Sequence, residues 1–395
     1  MIKVLRIINR FNLGGPTYNA TFLSAFMGEE FETKLYGGKH EEHEGDSLFI
    51  PEQYGLQPVI IDALARHINI GNDRAAIKEI RTIIREFKPD IVHAHASKAG
   101  AIGRYAAYKE NVPVIVHTFH GYVFHSYFGA LKTTLYKGIE RFLAQRTDAI
   151  VAISDIQKNE LVSIHKIAKA RKVSVIPLGF DLNKFNENRG EKRTNFREEY
   201  QVEADDIAIA LIGRFAPIKN HLGFIKSINK IARNTEKKCV VFLIGDGELR
   251  PEIEILTHQV EEAHDNIRFV LTSWIKDVDR VLPGLDIVAL SSFNEGTPVS
   301  LIESQAAGVP VLSTDVGGVR DIVKDGQTGV ISPPFEEERF ANDLLELIEN
   351  EEKRHFMSQN GWNHVHEKFH YERLCSDMGK LYRELLNKKQ KNEED

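Results

Sequence analysis

Short runs of β-branched and aliphatic residues recur along this chain, each followed by a longer segment of amphipathic spacing, and no other feature restricts the fold as much. The runs are IKVLRII, DIVHAH, VPVIVHTF, AIVAIS and KVSVIP, then IAIALIG, CVVFLIG, IRFVL, DIVALSS and PVLST. A helix between two strands returns the chain to the same end of a sheet, so consecutive strands lie parallel. The pattern predicts an α/β fold of βαβ units around mostly parallel sheets.

Between the two sets lies DLNKFNENRGEKRTNFREEY, residues 181–200, whose polar character and weak apolar periodicity predict a linker. A length of 395 residues exceeds one ordinary core. We therefore expect domains at 1–185 and 201–370. Helical spacing from about His366 to Lys389 predicts a C-terminal helix, with 371–395 as a separate helix and charged tail that frays at KKQKNEED. No repeat of solenoid period is present.

A formal net charge of -6 argues against a general nucleic-acid binder. Cys239 and Cys375 lie far apart and match no metal or disulfide spacing, which suits a reducing cytoplasm. MIKVLRIINRF lacks the apolar core of a signal peptide, and no run approaches the roughly 18 apolar residues that span a bilayer. Membrane contact is expected to be peripheral at most.

The unusual residues share one placement. Gly14-Gly15, Ser97-Lys98, His120-Gly121, Gly213-Arg214, Gly245-Asp246-Gly247, Asn294-Glu295 and Asp315 through Gly318 each follow the C-terminal end of a predicted strand. Open α/β sheets bind ligands at that edge, and two such domains facing each other would share one cleft.

The stretch FNEGTPVSLIESQAAGVP carries the sharpest chemistry. Asn294 to Gly296 read as a loop, Thr297 as an N-cap and Pro298 as the first helical residue. Glu295 then sits at the mouth of a helix, and Glu303 lies about 7.5 Å further along its axis. The free N–H groups and positive dipole end between them suit a diphosphate. A nucleotide-sugar laid across that terminus would meet one carboxylate with its sugar and the other with its ribose. An ordinary capped helix with a solvated glutamate is the plainer reading.

Arg214 and Lys219 in GRFAPIKN stand after a strand, where two cations neutralise a diphosphate leaving group without metal. FLIGDGELR resembles half of a dinucleotide fingerprint but lacks its spacing, and a tight turn accounts for its glycines equally well. Trp274 either borders a base or is packed. The DVD at 277–279 looks like a metal-binding Asp-x-Asp but falls at a helix start, where acidic residues are ordinary. His93 and His95 share a strand face, yet no third ligand has suitable spacing. No essential metal or other cofactor is expected.

Taken together and in order, GRFAPIKN, IGDGELR, SWIKDV, the Glu295-to-Glu303 spacing and GVPVLSTDVGGVRDIV resemble glycosyltransferase family 4, whose members have the GT-B fold. The second half matches nearly throughout and the first more loosely. The resemblance implies two Rossmann-like domains across a cleft, with the C-terminal helix crossing back to the first. It implies sugar contact by Glu295, ribose contact by Glu303, and diphosphate contact by Arg214 and Lys219. Donor contacts from Gly15, Gly213, Gly296, Thr297, Pro298 and Val299 follow, with the nucleobase near Gly245 and Ile275. His120 resembles the histidine that faces the donor sugar, while Gly14, Lys98 and Tyr122 fall on the acceptor side.

HAHASKAGAIGRYAAY and HTFHGYVFHSYF resemble bacterial members that extend lipid-linked intermediates of surface polysaccharide, lipopolysaccharide or capsule. Between 132 and 172 nine cations (Lys132, Lys137, Arg141, Arg146, Lys158, Lys166, Lys169, Arg171, Lys172) face four acids, leaving +5. With Tyr122, Phe124, Tyr127 and Phe128 just before it, this stretch suits an anionic membrane; a solvated basic face with core aromatics is the alternative. The expectation is a cytoplasmic, peripherally membrane-associated, hexosyltransferase-type enzyme that transfers a sugar from a UDP-sugar to a saccharide or polyprenyl-diphosphate-saccharide, with retention. A UDP-sugar epimerase of the same fold, or a transferase with a soluble acceptor, are the rival readings.

Overall fold

The structure is a computed structural model that describes residues 1–12, 15–40, 47–65, 69–120 and 130–394. The chain divides into two compact units, Met1–Phe180 with Phe369–Asp395, and Asp181–Lys368.

In the first unit β1 (Ile2–Arg10), α1 (Gly15–Ala25), β2 (Phe31–Gly38), α2 (Phe49–Gln53), β3 (Val59–Ile60), α3 (Ile70–Phe87), β4 (Ile91–His95), α4 (Ser97–Lys109), β5 (Val114–Thr118), α5 (Ala130–Gln145), β6 (Ala149–Ala152), α6 (Asp155–Asn159) and β7 (Val173–Val175) follow in order. The sheet is parallel throughout, ordered β3-β2-β1-β4-β5-β6-β7. Its order reverses between β1 and β4, which opens a crevice at the carboxyl ends of those strands. Helix α3 starts where the Asn69 side chain accepts from the N–H groups of Gly71 and Asn72, and it ends at Lys88 in the left-handed region.

The second unit contains α7 (Asn183–Asn186), α8 (Arg189–Glu199), β8 (Ile207–Ile212), α9 (His221–Ala232), β9 (Cys239–Ile244), α10 (Arg250–Ala263), β10 (Ile267–Thr272), α11 (Val278–Val281), β11 (Ile287–Leu290), α12 (Val299–Ala306), β12 (Val311–Thr314), α13 (Val319–Ile322), β13 (Gly329–Ser332), α14 (Glu337–Glu349) and α15 (Glu351–Phe369). Its parallel sheet runs β10-β9-β8-β11-β12-β13 and reverses between β8 and β11. The aliphatic runs form the core: Ile209, Leu211, Val241, Leu243 and Ile287 are buried beneath α9, α10 and α14.

Two features depart from the sequence reading. Strands β2, β3 and β13 are additional; β2 carries Glu32 and Lys34 between Phe31 and Leu35, so it has no continuous aliphatic run to mark it. Residues 181–200 are not a linker, because α7 and α8 belong to the second unit. Ion pairs hold this polar segment: Arg193 and Arg197 reach Asp286 at 2.8 and 3.1 Å, and Lys192 reaches Asp279 at 2.9 Å. Leu182, Phe185 and Phe196, the last against Phe242, supply its few buried apolar anchors, too widely spaced for apolar periodicity to detect.

The last helix, α16 (Tyr371–Glu394), returns to the first unit, where Leu374, Met378 and Tyr382 pack with Val4, Ile91 and Val114. Fully buried Arg6 of β1 donates to the Tyr382 hydroxyl at 2.8 Å and to the Leu23 carbonyl at 2.9 Å.

Candidate active site

At the reversal point of the second sheet, the loops after β8 and β11 bring together groups far apart in sequence. Lys219 lies just before α9, and its Nζ sits 2.6 Å from Glu295 Oε1. The Ser292 hydroxyl donates to the same oxygen at 2.6 Å. Glu295 is buried and Lys219 mostly so, and a buried ion pair with a further hydrogen bond holds its geometry far better than a surface pair. Ser292, three residues before Glu295 at the end of a strand, is a member of this cluster that sequence reasoning missed.

The loop after β12 closes over Glu295 from the other side. Gly318 donates its N–H to the Gly296 carbonyl at 3.0 Å, and a Cβ on Gly317 would lie 1.7 Å from the Glu295 carbonyl oxygen. With φ at +53°, Gly317 also takes a conformation that other residues enter at a cost. The glycine pair of DVGG thus permits a backbone contact that fixes the Glu295 loop.

Helix α12 begins at Val299 with Pro298 as its N-cap, so Thr297 is not the cap and Pro298 is not the first helical residue. The ψ of Pro298, 96°, keeps it outside the helix, and no side chain caps the end. The N–H groups of the first turn are thereby left for water or a ligand. Around Gly296 there is open space. Glu303 stands farther along α12, half-buried, with no hydrogen-bond partner among the described residues. Burial, opposed by Lys184 and reinforced by Asp279, pushes its carboxyl up to about 7.

Arg214 stays outside this cluster. It is 67% exposed and pairs with Glu248 at 3.1 Å. The glycines of GDG have a steric reason: a Cβ on Gly245 would lie 2.1 Å from the Gly213 carbonyl oxygen. Ile275 is half-buried on the loop after β10, whereas Trp274 is 59% exposed rather than packed. The DVD acids are structural in part, since Asp279 binds Lys192 of α8.

At the reversal point of the first sheet, Gly15 opens α1, where an added Cβ would meet Leu178 at an ordinary 3.5 Å. Lys98 is not an open cation: its Nζ lies 2.7 Å from Asp73 and donates to the Ala65 carbonyl at 2.7 Å. Gly14, Tyr122, Phe124, Tyr127 and Phe128 lie outside the described residues. His120 follows β5, with Nε2 2.9 Å from His95 Nδ1, and burial lowers it to about 3. His93 and His95 stack at 4.0 Å on one strand face. No group of three metal-ligating side chains occurs among the described residues.

The basic stretch of the first unit is partly structural. Lys172 caps α5 by donating to the carbonyls of Ala144, Gln145 and Thr147, Arg141 binds those of His165 and Lys166, and Glu140 is buried against Arg104 at 2.7 Å. On the outer face of α5, Leu135, Ile139 and Phe142 are exposed, Leu135 by 65%. With Ile77, Ile102 and Tyr105 they line an apolar groove of about 630 Å³. Arg146 lies over the rings of Phe142 and Tyr108 at 3.7 and 5.0 Å. No helix among the described residues is long and apolar enough to cross a membrane.

Comparisons with known proteins cover both units. The Glycosyltransferase Family 4 model matches residues 14–184, and the Glycosyl transferases group 1 model matches 192–364. The chain is 28% identical over 334 residues to a UDP-Gal:alpha-D-GlcNAc-diphosphoundecaprenol alpha-1,3-galactosyltransferase of Escherichia coli, covering 84% of each. It is 26% identical to the capsular polysaccharide biosynthesis glycosyltransferase CapM of Staphylococcus aureus, covering 85% of this chain and 87% of that one. Among solved structures, Anabaena HepE in complex with UDP superposes with a TM-score of 0.80 at 18% identity, over 97% of this chain and 100% of that one. Two parallel Rossmann-like sheets, the order of their strands and these matches agree: the chain belongs to glycosyltransferase family 4, and it is a hexosyltransferase-type enzyme of the GT-B fold.

Proposed function

We propose that this enzyme transfers a hexose from a UDP-sugar to a hydroxyl of a polyprenyl-diphosphate-linked saccharide, with retention and without an essential metal, in the synthesis of surface polysaccharide. The observation that carries the reading is the Ser292–Glu295–Lys219 cluster beside the uncapped start of α12. In a ligand-free protein Glu295 holds Lys219. An arriving diphosphate competes for that cation, and Glu295 is released to accept hydrogen bonds from sugar hydroxyls. As the glycosidic bond breaks, negative charge grows on the departing diphosphate, where Lys219, Arg214 and the α12 N–H groups offset it. Glu303 takes the ribose hydroxyls. Oriented groups of this kind lower the barrier without reorganising during the reaction.

Support for the donor and acceptor comes from the E. coli relative, whose name specifies UDP-Gal and a diphosphoundecaprenol-linked sugar, and from the UDP complex of the Anabaena protein. The test is a panel of UDP-, GDP- and ADP-sugars with a short-chain polyprenyl-diphosphate saccharide, with and without EDTA. Acceptor-dependent UDP release with a one-hexose mass gain, unchanged by EDTA, is the expected result. Release of another nucleotide, sugar conversion without acceptor, or loss with EDTA each refutes a stated part.

We also propose that the outer face of α5 rests on an anionic bilayer on the cytoplasmic side. Its apolar ridge suits acyl chains, and Arg146 beside it suits phosphate headgroups. Vesicles of anionic lipid should sediment the protein, neutral vesicles much less, and Leu135→Glu with Phe142→Glu should abolish sedimentation while leaving turnover of a soluble acceptor intact. Equal binding by the double variant refutes the surface.

A further inference from the structure

At the edge of the second sheet opposite the candidate active site, ahead of β11 and β12, lies a cavity of about 390 Å³. Its walls come from α8, α15 and the segments that lead into those two strands, and they include Arg189, Arg193, Asp286, Glu351, Arg354 and Ser358. Three guanidinium groups on one cavity raise the question of what balances them.

Asp286 is fully engaged. Its Oδ1 accepts from Arg193 at 2.8 Å, and its Oδ2 accepts from Arg197 at 3.1 Å and from the Ala208 N–H at 2.8 Å. Arg193 spends its other terminal nitrogen on the carbonyls of Pro283, Gly284 and Leu285. Arg354 donates from Nη1 to the carbonyls of Leu347 and Ile348, at 2.6 and 2.7 Å, and its remaining N–H groups meet no described acceptor. Arg189 differs from both. It donates to no described residue, its Nε is buried without a partner, and Glu351 lines the same cavity without pairing with it.

The end of helix α12 does not account for this cation. The Arg189 guanidinium lies against Gly308, where an added Cβ would be 2.0 Å from Nη2, and a cation beside a helix C-terminus is favourable. Yet the last carbonyls of α12, on Glu303, Ser304 and Gln305, already accept from the N–H groups of Ala307, Val309 and Gly308 at 2.9, 2.8 and 3.0 Å. Burial and the neighbouring Arg193 both lower the Arg189 pKa, but a guanidinium keeps its charge all the same. Burying a cationic N–H without an acceptor is costly, so Arg189 is left for an acceptor that the described residues do not supply.

The placement of the free donors indicates which acceptor. Arg189 approaches from the start of α8, and Arg354 and Ser358 lie one turn apart on α15. A flat carboxylate matches one guanidinium fork, whereas a tetrahedral oxyanion has acceptors for donors on separate elements. The cavity is also large enough for a small molecule that carries such a group.

We propose that this cavity is a second anion site, in which Arg189, with Arg354 and Ser358, binds the phosphate group of a small molecule at the edge of the sheet opposite the candidate active site.

Calorimetric titration of the full chain with inorganic phosphate tests the site. Phosphate can also meet Lys219, so the titration is repeated on Lys219→Met. Binding should persist in Lys219→Met and weaken at least about tenfold in Arg189→Met, the scale of one charged hydrogen bond. Arg189→Lys, which keeps the charge but loses the fork, should fall between. Circular dichroism checks the fold, and since Arg189 donates to no described residue its replacement breaks no hydrogen bond among them. Hexose 1-phosphate titrated beside phosphate separates two sources of the same chemistry: tighter binding of the ester supports a phosphorylated small molecule, and equal or weaker binding overturns that part. No binding up to about 10 mM phosphate overturns the site itself. Equal affinity in Arg189→Met and wild type, loss of binding in Lys219→Met alone, or displacement of phosphate by an equal concentration of acetate does the same.

Discussion

The two sheet edges solve different problems with different chemistry. In the second unit the groups at the reversal point are charged and held by one another: Lys219 on Glu295, Arg214 on Glu248. In the first they are neutral rings joined by hydrogen bonds, His93 to Tyr382 and Arg6, and His95 to His120. Charges suit a ligand whose own charge changes, since the field acts at a distance and strengthens where water is excluded. Neutral donors and acceptors suit hydroxyl groups, for which direction matters more than field.

The largest effect should come from breaking the charged side. Glu295→Gln keeps the shape but removes the carboxylate that holds Lys219, and we expect kcat/KM to fall at least about 1000-fold with the fold retained by circular dichroism. Steady-state kinetics decide this, and activity within tenfold of wild type would show that the pair is structural.

A smaller effect separates the sides by pH. The Glu303 carboxyl stands at about 7 in the fold, above its ordinary 4.5, so the fold favours the neutral acid. Its contribution to stability is complete below the unfolded value and is lost as pH rises from about 4.5 through 7. Ribose hydroxyls that donate to Glu303 favour the carboxylate, and UDP affinity should accordingly rise with pH, by up to about tenfold per unit below 7 and then level off. Calorimetry between pH 5.5 and 8.5 tests this, with Glu303→Gln expected to flatten the slope. The histidines add none, since His93 and His95 lie well below the usual range and His120 at about 3. A slope that survives in Glu303→Gln would contradict this division.

The same contrast explains what the sequence reveals. In the second unit each loop is a short contiguous motif behind an aliphatic strand, so Lys219, Glu295 and Glu303 can be picked out, and the parallel sheet needs only the rhythm of the runs. In the first unit the partners are remote: His95 and His120 are 25 residues apart, and Arg6 and Tyr382 are 376 apart. No local pattern joins them. The helices of 181–200 escape for a related reason, because arginine–aspartate pairs across more than 85 residues hold them in place of an apolar face. Ser292 was within reach, since it lies at the end of a strand three residues from Glu295, but a hydroxyl there has no distinguishing spacing.

The smallest effect tests whether the two charged pairs of the second unit are equivalent. Arg214 and Glu248 are 67% and 50% exposed, so solvent screens their attraction and the pair should contribute little to folding. Glu248→Ala should therefore leave the unfolding midpoint in urea almost unchanged. It removes the competitor for a cation assigned to the diphosphate, so donor KM should fall, by no more than about threefold, with kcat unaltered. A rise in KM would mean that Glu248 aims Arg214 instead of competing for it. Arg214 would then join Lys219 as a cation placed by its carboxylate, and the exposed pair would differ from the buried one in strength but not in kind.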